Sequence, residues 1–266
     1  MQEAIITILT DFGEKDPYVG AMKGVILSIC PHAKIIDLSH NIQKHNIREG
    51  AFFLFSVAKY YPKNTIHLVV IDPGVGSDRK PLIIQSKNFI FVGPDNGVLS
   101  IAASEDKIQK IVTITNSSYF LKPISNTFHG RDIFAPVAAH LANNEPIERF
   151  GHITKDWIQL KLPKVQVKDN MINAEIIHID RFGNIITNIP KKLLQNRPEF
   201  RKGILEIKIK DKELKIPLCS SYNQVKQGEF LGIIGSTNYL EISKNQESAA
   251  NALDVQIQEK IFVKLS

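Results

Sequence analysis

Three side chains that together could activate a water molecule occur in two short stretches of this sequence. Asp72 and Arg79 bound a glycine-containing loop that follows the apolar run 67–71, and His129 lies in the stretch 127–132, directly before a helical pattern. A buried strand that ends in Asp-Pro-Gly places a carboxylate at a strand end, where α/β proteins keep their chemistry. In such a site the guanidinium would stabilise negative charge and the imidazole would accept a proton.

Each of these residues also has a structural interpretation. Asp72 and Arg79 could form an ion pair that stabilises the loop, and His129 could be a helix-start or core histidine. Asp11, which follows the first predicted strand, could cap a turn. The glycines show only that the loop is tight, because the sequence contains neither a P-loop nor a G-x-G-x-x-G pattern.

The composition indicates a globular protein with a sizeable core. The chain has 266 residues, of which 43% are hydrophobic, and this length suits one large domain or two ordinary ones. Its apolar runs fall far short of the roughly 20 residues that a membrane helix needs, and its start lacks the basic segment of a secretion signal. Only Cys30 and Cys219 occur, too few for a disulfide framework or a thiolate metal site. We therefore expect a cytoplasmic protein without a membrane partner.

The net positive charge of the chain, formally +6, invites a nucleic-acid interpretation. Many lysines lie between residues 155 and 215, where several alternate with Ile or Leu as they would on the outer faces of strands. Aromatic residues are not interleaved with them, and no nucleic-acid-binding motif is recognisable. The charge is better explained by solvated strand faces, so we expect no nucleic-acid partner.

Strand and helix patterns alternate in the first part of the chain. The strands predicted at 4–9, 34–38 and 65–71 are separated by helical patterns at 17–29 and 47–61. Such alternation predicts a mostly parallel sheet covered on both faces by helices. A hairpin, a further strand and a further helix are predicted at 81–92, 108–114 and 133–141.

The sequence pattern changes between residues 157 and 170, which we interpret as a linker. We assign residues 1–157 to an α/β domain with a mostly parallel sheet and residues 168–266 to a smaller domain. Short strands dominate the second domain, which favours an antiparallel, β-barrel-like fold. The strands are predicted at 171–179, 203–209, 213–217, 229–234, 239–242 and 256–263, and helices only at 190–195 and 248–253.

Six motifs, in order through both predicted domains, resemble one known family. They are Thr10-Asp11-Phe12-Gly13, Asp72-Pro73-Gly74-Val75-Gly76 with Arg79, Pro94-Asp95-Asn96-Gly97, Phe128-His129-Gly130-Arg131-Asp132, Asp180-Arg181-Phe182-Gly183-Asn184 and Gly235-Ser236-Thr237-Asn238-Tyr239-Leu240-Glu241. As a set they are similar to the S-adenosylmethionine hydrolases (adenosine-forming), also called SAM hydroxide adenosyltransferases. These enzymes are related to the fluorinase and the chlorinase, which attack the same carbon with halide.

The resemblance implies a fold, an assembly and a reaction. It implies an α/β amino-terminal domain, a carboxy-terminal β-barrel and a homotrimer with sites between neighbouring subunits. S-adenosyl-L-methionine would be hydrolysed to adenosine and L-methionine by water attacking the ribose C5′, with neither a cofactor nor a metal. Asp72, Arg79 and His129 would form the Asp-Arg-His set of the hydrolases, which the halogenases lack, so their presence favours water over halide.

The resemblance also assigns residues to the adenosine part of the substrate. Asp11 would hold the ribose hydroxyls. Phe182 and Tyr222 would flank the adenine ring, and Asn184 would form a hydrogen bond to it.

The methionine part would be held by residues of the last two motifs. Asp180 would meet the ammonium group, and Ser236 and its neighbours would meet the carboxylate, with Tyr239 and Glu241 completing the substrate-binding set. The fluorinase has an arginine after this serine, whereas this chain has Thr237. The contact to the carboxylate therefore departs from the fluorinase pattern.

Three rival functions stay open. A metal-dependent hydrolase would gather Asp11, Asp72, His129 and Asp132 around a divalent ion, although the fixed charge of Arg79 beside Asp72 argues against it. A halide-using adenosyl transferase would yield a halogenated nucleoside. A non-catalytic nucleoside-binding or S-adenosylmethionine-binding module would show affinity without turnover.

Overall fold

The structure, a computed structural model, describes residues 4–161, 163–168, 171–195 and 203–265. Residues 162, 169 and 170, which fall in or next to the predicted linker, lie outside the described residues. The chain divides into two compact units, Met1–Lys161 and Leu162–Ser266. Within the described ranges, no helix is long and apolar enough to cross a membrane.

The first unit contains a seven-stranded sheet with the order β2-β1-β3-β5-β4-β6-β7. Its strands are β1 (Ile5–Thr10), β2 (Lys34–Ser39), β3 (Ile66–Val70), β4 (Pro81–Ser86), β5 (Ile90–Pro94), β6 (Ile108–Ile114) and β7 (Gly151–Ile153). The pairs among β2, β1, β3 and β5 are parallel, whereas β4, β6 and β7 join the sheet by antiparallel pairs. The predicted α/β class is confirmed, and the antiparallel pairs are confined to one side of the sheet.

Helices cover both faces of this sheet, as the alternating pattern predicted. They are α1 (Tyr18–Ile29), α2 (Ile47–Ala58), α3 (Ser100–Glu105) and α4 (Ala135–Ala142). Successive side chains of a strand point to opposite faces. Ile6 and Ile8 of β1 accordingly join the core that contains α1 and α4, whereas Leu9 joins the core that contains α2 and α3. Burial on both faces explains why the sequences of these strands are nearly continuous apolar runs.

The strand order brings two of the predicted site loops together at the carboxyl ends of neighbouring strands. Strands β1 and β3 are parallel neighbours, with Thr10 beside Val70 at their carboxyl ends. The loop that carries Asp11 and the loop that carries Asp72 therefore leave the sheet side by side. The Asn96 side chain donates a hydrogen bond to the carbonyl of Ile71 at 2.8 Å, which fixes the residue directly before Asp72.

His67 is a neutral core residue in the middle of β3. Its side chain is fully buried, and its Nδ1 lies 2.8 Å from the hydroxyl oxygen of Thr7. The rings of Phe89 and Phe91 contact it, each with a centroid separation of 5.2 Å. Burial lowers the pKa of His67 to about 3.

This buried histidine predicts acid sensitivity of the fold. Between about pH 6.5 and pH 3 the unfolded chain binds a proton at His67 that the folded protein excludes. The His67 contribution to the free energy of unfolding is therefore complete above pH 6.5 and is lost at roughly 1.4 kcal/mol per pH unit as the pH falls. Urea unfolding across this range measures the slope. A His67→Gln variant should show a shallower slope, and an identical one would contradict the assignment.

The second unit is a closed barrel of seven strands with one additional strand. Its strands are β8 (Gln166–Lys168), β9 (Met171–Ile179), β10 (Ile185–Pro190), β11 (Ile204–Ile209), β12 (Lys212–Cys219), β13 (Phe230–Ile234), β14 (Tyr239–Lys244) and β15 (Lys260–Leu265). The ring has the order β10-β14-β13-β12-β11-β15-β9 and closes by pairing of β9 with β10, while β8 pairs with β9. The predicted barrel is confirmed, with one parallel pair, β12 with β13, among antiparallel ones.

The sequence pattern missed β10, and its burial explains why. Its first five residues are all buried, including the polar Thr187 and Asn188, so no alternation of polar and apolar residues marks it. Tertiary contacts satisfy both polar side chains: Thr187 donates to the carbonyl of Leu240 at 2.8 Å and Asn188 to that of Pro163 at 2.6 Å. The predicted helices correspond to α5 (Lys191–Gln195) and α6 (Ala249–Leu253).

Candidate active site

Arg79 contacts both of the other predicted catalytic side chains. Its Nε lies 2.9 and 3.0 Å from the two carboxylate oxygens of Asp72, and its Nη2 also donates to Asp72 Oδ2. The same Nη2 lies 2.8 Å from His129 Nδ1. The side chains of Asp72 and Arg79 are 4% and 9% exposed, so solvent screens this ion pair little. The structure thus brings the three side chains together from two separate stretches of sequence.

The contact with Arg79 selects the tautomer of His129. A guanidinium has donors only, so His129 Nδ1 must accept, and the proton of the neutral ring then lies on Nε2. Burial, followed by the positive charge of Arg79, lowers the pKa of His129 below 6.5, with Asp72 and Asp132 partly opposing the shift. At neutral pH the ring is therefore mainly uncharged, and its lone pair lies at Nδ1 beside Arg79.

The loop between Asp72 and Arg79 folds tightly because of its small residues. Ser77 donates its hydroxyl to the carbonyl of Gly74 at 2.7 Å and accepts the backbone N–H of Arg79 at 3.3 Å, which closes the turn. Gly76 has a positive φ of +78°, and a Cβ there would lie 2.4 Å from the carbonyl oxygen of Asn126. Glycine therefore lets this loop approach the segment that leads to His129.

His129 directly precedes a wide helical turn. The residues Gly130–Phe134 form a π-helical turn that continues into α4, a geometry frequent at functional sites. Asp132 is fully buried and accepts hydrogen bonds from Arg131 Nε at 2.6 Å and from the Ser125 N–H at 2.8 Å. Its carboxylate thus anchors the segment before His129. In the described part of the chain, no cluster of three or more His, Cys, Asp or Glu side chains is arranged to hold a metal ion.

Asp11 lies at the carboxyl end of β1, on the same sheet edge as Asp72. Its side chain is 7% exposed, and Oδ2 accepts the backbone N–H of His45 at 2.8 Å. Its loop also contacts His40, whose carbonyl accepts the N–H of Gly13 at 2.7 Å. Sequence reasoning missed His40 and His45, because neither lies in one of the six motifs.

Aromatic rings to which the sequence analysis gave no role pack between the Asp11 and His129 motifs. Phe128 contacts Phe12 and Tyr18 edge-on, with ring centroids 6.0 and 5.2 Å apart. The guanidinium of Arg131 lies 5.1 Å from the centroid of Phe128. Tyr18 is 45% exposed, so this aromatic cluster borders solvent beside Asp11 and the His129 motif.

In the second unit, Asp180 organises the loop between β9 and β10. Its Oδ1 accepts the backbone N–H groups of Phe182 and Asn184, both at 2.9 Å, and its Oδ2 accepts the Asn184 side-chain amide at 2.8 Å. A Cβ on Gly183, whose φ is +82°, would lie 2.1 Å from the hydroxyl oxygen of Ser248, so the loop requires glycine there. The Phe182 ring is 78% exposed at the tip of this loop.

A cavity of about 570 Å³ lies beside this loop within the second unit. Four of the predicted substrate-binding residues line it: Asp180, Phe182, Asn184 and Tyr222. The volume falls in the range of small-molecule sites, and the lining combines two aromatic rings with six polar or charged side chains. The arrangement suits a flat heterocycle with hydrogen-bonding edges.

Glu241 lies next to Tyr222 and is 7% exposed. The Tyr222 hydroxyl lies 3.3 Å from Glu241 Oε2. Burial raises the pKa of Glu241, and burial together with Glu241 raises the pKa of Tyr222 to about 12. The phenol therefore keeps its proton, and its hydroxyl donates a hydrogen bond to the carboxylate. A Cβ on Gly235 would lie 1.5 Å from Glu241 Oε1, so a side chain there would displace this carboxylate.

The remaining predicted residues lie at the turn between β13 and β14. Ser236 is exposed, and Tyr239 begins β14. The Thr237 hydroxyl oxygen is shielded from solvent and has no hydrogen-bond partner among the residues that the structure describes. A shielded hydroxyl in this state can donate to a bound acceptor.

Known proteins are similar to this chain over most of its length. A protein from Methanocaldococcus jannaschii named (R)-S-adenosyl-L-methionine hydrolase is 39% identical, over 97% of this chain and 95% of its own length. A fluorinase from Actinopolyspora mzabensis is 23% identical over 92% of each chain. The crystal structure of an uncharacterised conserved protein from Thermotoga maritima matches 97% of this chain and 99% of its own with a TM-score of 0.92 and 37% identity.

Both units match models of a single protein family. Residues 6–151 match the SAM hydroxide adenosyltransferase N-terminal domain, and residues 174–262 match the SAM hydroxide adenosyltransferase C-terminal domain. Together the two matches span most of the chain. The chain therefore belongs to the SAM hydroxide adenosyltransferase family.

Proposed function

We propose that the protein hydrolyses S-adenosyl-L-methionine to adenosine and L-methionine by attack of an activated water at the ribose C5′. The observation that carries this proposal is the contact of Arg79 with both Asp72 and His129 Nδ1. The hydrolase names of relatives at 31–39% identity support it. Fluorinases are more distant, at 23–24% identity.

The reaction forms one C–O bond and breaks one C–S bond. The electron pair of the C5′–S bond leaves on sulfur, which departs as the neutral thioether of methionine. Water supplies the oxygen but is a poor nucleophile at neutral pH, so the protein must raise its nucleophilicity. His129 takes the proton that water loses, and Arg79 stabilises the negative charge that develops on the attacking oxygen.

The tautomer of His129 indicates where this water binds. The lone pair available for the proton is at Nδ1, which Arg79 contacts in the absence of substrate. Because the 2.8 Å contact leaves no space for a water molecule, Arg79 and His129 must separate for the reacting water to lie between them. There the water accepts a hydrogen bond from Arg79 and donates one to His129 Nδ1. Asp72 stays bound to Arg79 Nε and keeps the guanidinium in orientation.

The substrate contacts follow the family resemblance together with the chemistry of each group. Asp11 accepts hydrogen bonds from the ribose hydroxyls, and Asp180 accepts one from the ammonium group. The adenine ring stacks on Phe182 and Tyr222, whose exposed rings leave faces for it. The shielded hydroxyl of Thr237 offers a donor to the methionine carboxylate where the fluorinase has an arginine.

Product analysis tests this function against its rivals. In the relatives' names "L" already fixes the configuration at the α-carbon, so "(R)" denotes the configuration at sulfur. The two sulfur epimers of the substrate, (R) and (S), are therefore assayed separately. We expect equal amounts of adenosine and methionine from at least one epimer, at a rate that a chelator leaves unchanged. Loss of activity with the chelator would favour a metal enzyme. Chloroadenosine formed with chloride would favour halide transfer, and binding without products would favour a binding module.

The shifted pKa of His129 predicts the pH dependence of the reaction. His129 must be neutral to accept a proton, and its pKa lies below 6.5 in the folded protein. We expect kcat/KM to be level at neutral pH and to fall in acid with a midpoint below 6.5, because this parameter reports groups of the free enzyme. A midpoint at or above 6.5 would show that another group controls the reaction.

We also propose, from the family resemblance, that the protein is a homotrimer in which each site uses residues of two neighbouring subunits. The exposed aromatic side chains Tyr18, Phe182 and Tyr222 support this proposal, because substrate or a second subunit would cover them. Light scattering should give three times the 29.9 kDa mass of the chain. Mixed trimers of inactive His129→Ala and Asn184→Ala subunits should regain activity, whereas a monomeric mass would exclude this arrangement.

A further inference from the structure

His40 is a buried histidine that the proposed reaction does not use. It follows β2, the strand beside β1, and is 5% exposed. Its Nδ1 lies 2.9 Å from the hydroxyl oxygen of Thr10, and its carbonyl accepts the N–H of Gly13 at 2.7 Å. Thr10 and Gly13 flank Asp11, so one residue holds both ends of the loop that carries this carboxylate.

The far side of the His40 ring faces Asp37, which forms an ion pair with Lys23. His40 Nε2 lies 3.0 Å from Asp37 Oδ1, off the line of the ring N–H, and Asp37 Oδ2 accepts a hydrogen bond from Lys23 of α1 at 2.5 Å. Burial alone would raise the pKa of Asp37, but the neighbouring Lys23 and His40 side chains hold it below its usual value. The ionised carboxylate favours a proton on His40 Nε2.

This proton position defines the contact with Thr10. With the proton on Nε2, His40 Nδ1 accepts the Thr10 hydroxyl, and the hydroxyl oxygen accepts the backbone N–H of Phe12 at 3.3 Å. Contacts therefore link the backbone beside Asp11, through Thr10 and His40, to Asp37, which also accepts a hydrogen bond from Lys23 of α1. From the other direction, the N–H of His45 fixes Asp11 Oδ2 at 2.8 Å.

We propose that His40 is a positioning residue that, through Thr10, holds Asp11 in the orientation needed to accept hydrogen bonds from the two ribose hydroxyls. The inference rests on the proposed function, in which Asp11 binds the ribose. A carboxylate that receives two hydroxyls must be placed to within about 0.5 Å. Two anchors on its own loop supply that constraint before substrate arrives.

Strand β1 offers a matched control for this proposal. Thr7 is fully buried like Thr10, and its hydroxyl oxygen lies 2.8 Å from Nδ1 of the buried His67. Thr7→Val and Thr10→Val therefore remove the same kind of contact from the same strand, but only Thr10 adjoins Asp11. A general loss of stability would appear in both variants, whereas a loss of positioning would appear in Thr10→Val alone.

The test compares the affinities of adenosine and 2′,3′-dideoxyadenosine, measured by calorimetry on the full chain. The ratio of the two affinities, adenosine over the dideoxy compound, measures how much the ribose hydroxyls contribute to binding. A variant that weakens both ligands equally leaves this ratio unchanged. We expect the ratio to be roughly 10- to 100-fold in the unchanged protein and in Thr7→Val, as for hydrogen bonds to a charged group. It should approach one in Asp11→Ala and in Thr10→Val.

Two substitutions of His40 separate its contacts. His40→Asn keeps a carboxamide near the position of Nδ1 and should retain most of the ratio. His40→Gln reaches toward Asp37 but leaves Thr10 without its partner, so its ratio should approach one. If a His40 variant does not fold, Thr10→Ser, which keeps the hydroxyl, serves as the conservative partner of Thr10→Val.

An unchanged ratio in Thr10→Val and His40→Gln would overturn the inference and leave the proposed function intact. An equal fall in Thr7→Val would also overturn it, because the effect would then be one of general stability. If the unchanged protein hydrolyses S-adenosylmethionine but shows no preference for adenosine over the dideoxy compound, the role of Asp11, and with it that of His40, is wrong. Absence of both turnover and adenosine binding would contradict the proposed function itself.

Discussion

Replacement of His129 by asparagine is expected to lower kcat for S-adenosylmethionine hydrolysis by roughly 10²–10⁴, the usual contribution of a positioned general base. The carboxamide oxygen of asparagine can still accept the hydrogen bond that Arg79 Nη2 gives to His129 Nδ1 at 2.8 Å. It cannot take up a proton. The variant therefore removes the proton acceptor while it preserves the contact that orients the guanidinium. Steady-state kinetics with both substrate epimers measures the loss.

The control for this variant is the binding of adenosine. His129→Asn should leave adenosine affinity unchanged, because His129 is not among the residues assigned to adenosine binding. The loss should then appear in kcat, as for a group that acts in the transition state. A rate within a few-fold of the unchanged protein would show that His129 does not accept the proton.

The second large effect is expected from Arg79. Substitution by lysine should lower kcat by about 10²–10³, by analogy with removal of a donor to a developing oxyanion. Arg79 contacts Asp72 through Nε and His129 through Nη2 at the same time, and a single ammonium group cannot reproduce this fork. Kinetics of Arg79→Lys, with its thermal unfolding in parallel, measures the effect.

A stability comparison separates catalysis from folding at this site. Arg79→Ala leaves the Asp72 side chain, 4% exposed, without its partner, which should cost about 3–5 kcal/mol of unfolding free energy. The double variant Asp72→Asn with Arg79→Gln removes both charges, so it should recover much of that stability. If the double variant also recovered activity, the guanidinium would have no electrostatic role in the reaction.

Local sequence patterns predicted the fold class, and the family resemblance predicted that Asp72, Arg79 and His129 meet. The buried strand before Asp72 and the parallel pairing of β1 with β3 place two loops at one sheet edge. The Asp-Pro-Gly turn, with Gly76 at φ +78°, then returns Arg79 to Asp72. The turn follows from residues close together in the chain, whereas the pairing of β1 with β3 follows from the alternation of strand and helix patterns.

Other features depend on contacts between distant residues and have no local signature. Strand β10 lacks alternation because Thr187 and Asn188 are buried by partners elsewhere in the barrel. His40 reaches Thr10, which lies 30 positions earlier. The tautomer of His129 depends on Arg79, 50 positions away. No spacing rule within one stretch could have indicated these pairs.

The most direct test of the account is hydrolysis in water enriched in oxygen-18. If water bound between Arg79 and His129 attacks C5′, mass spectrometry should find one oxygen-18 atom per molecule of adenosine, at the 5′-hydroxyl, and none in methionine. Adenosine that forms without the label, or label found in methionine instead, would contradict attack by water at this carbon.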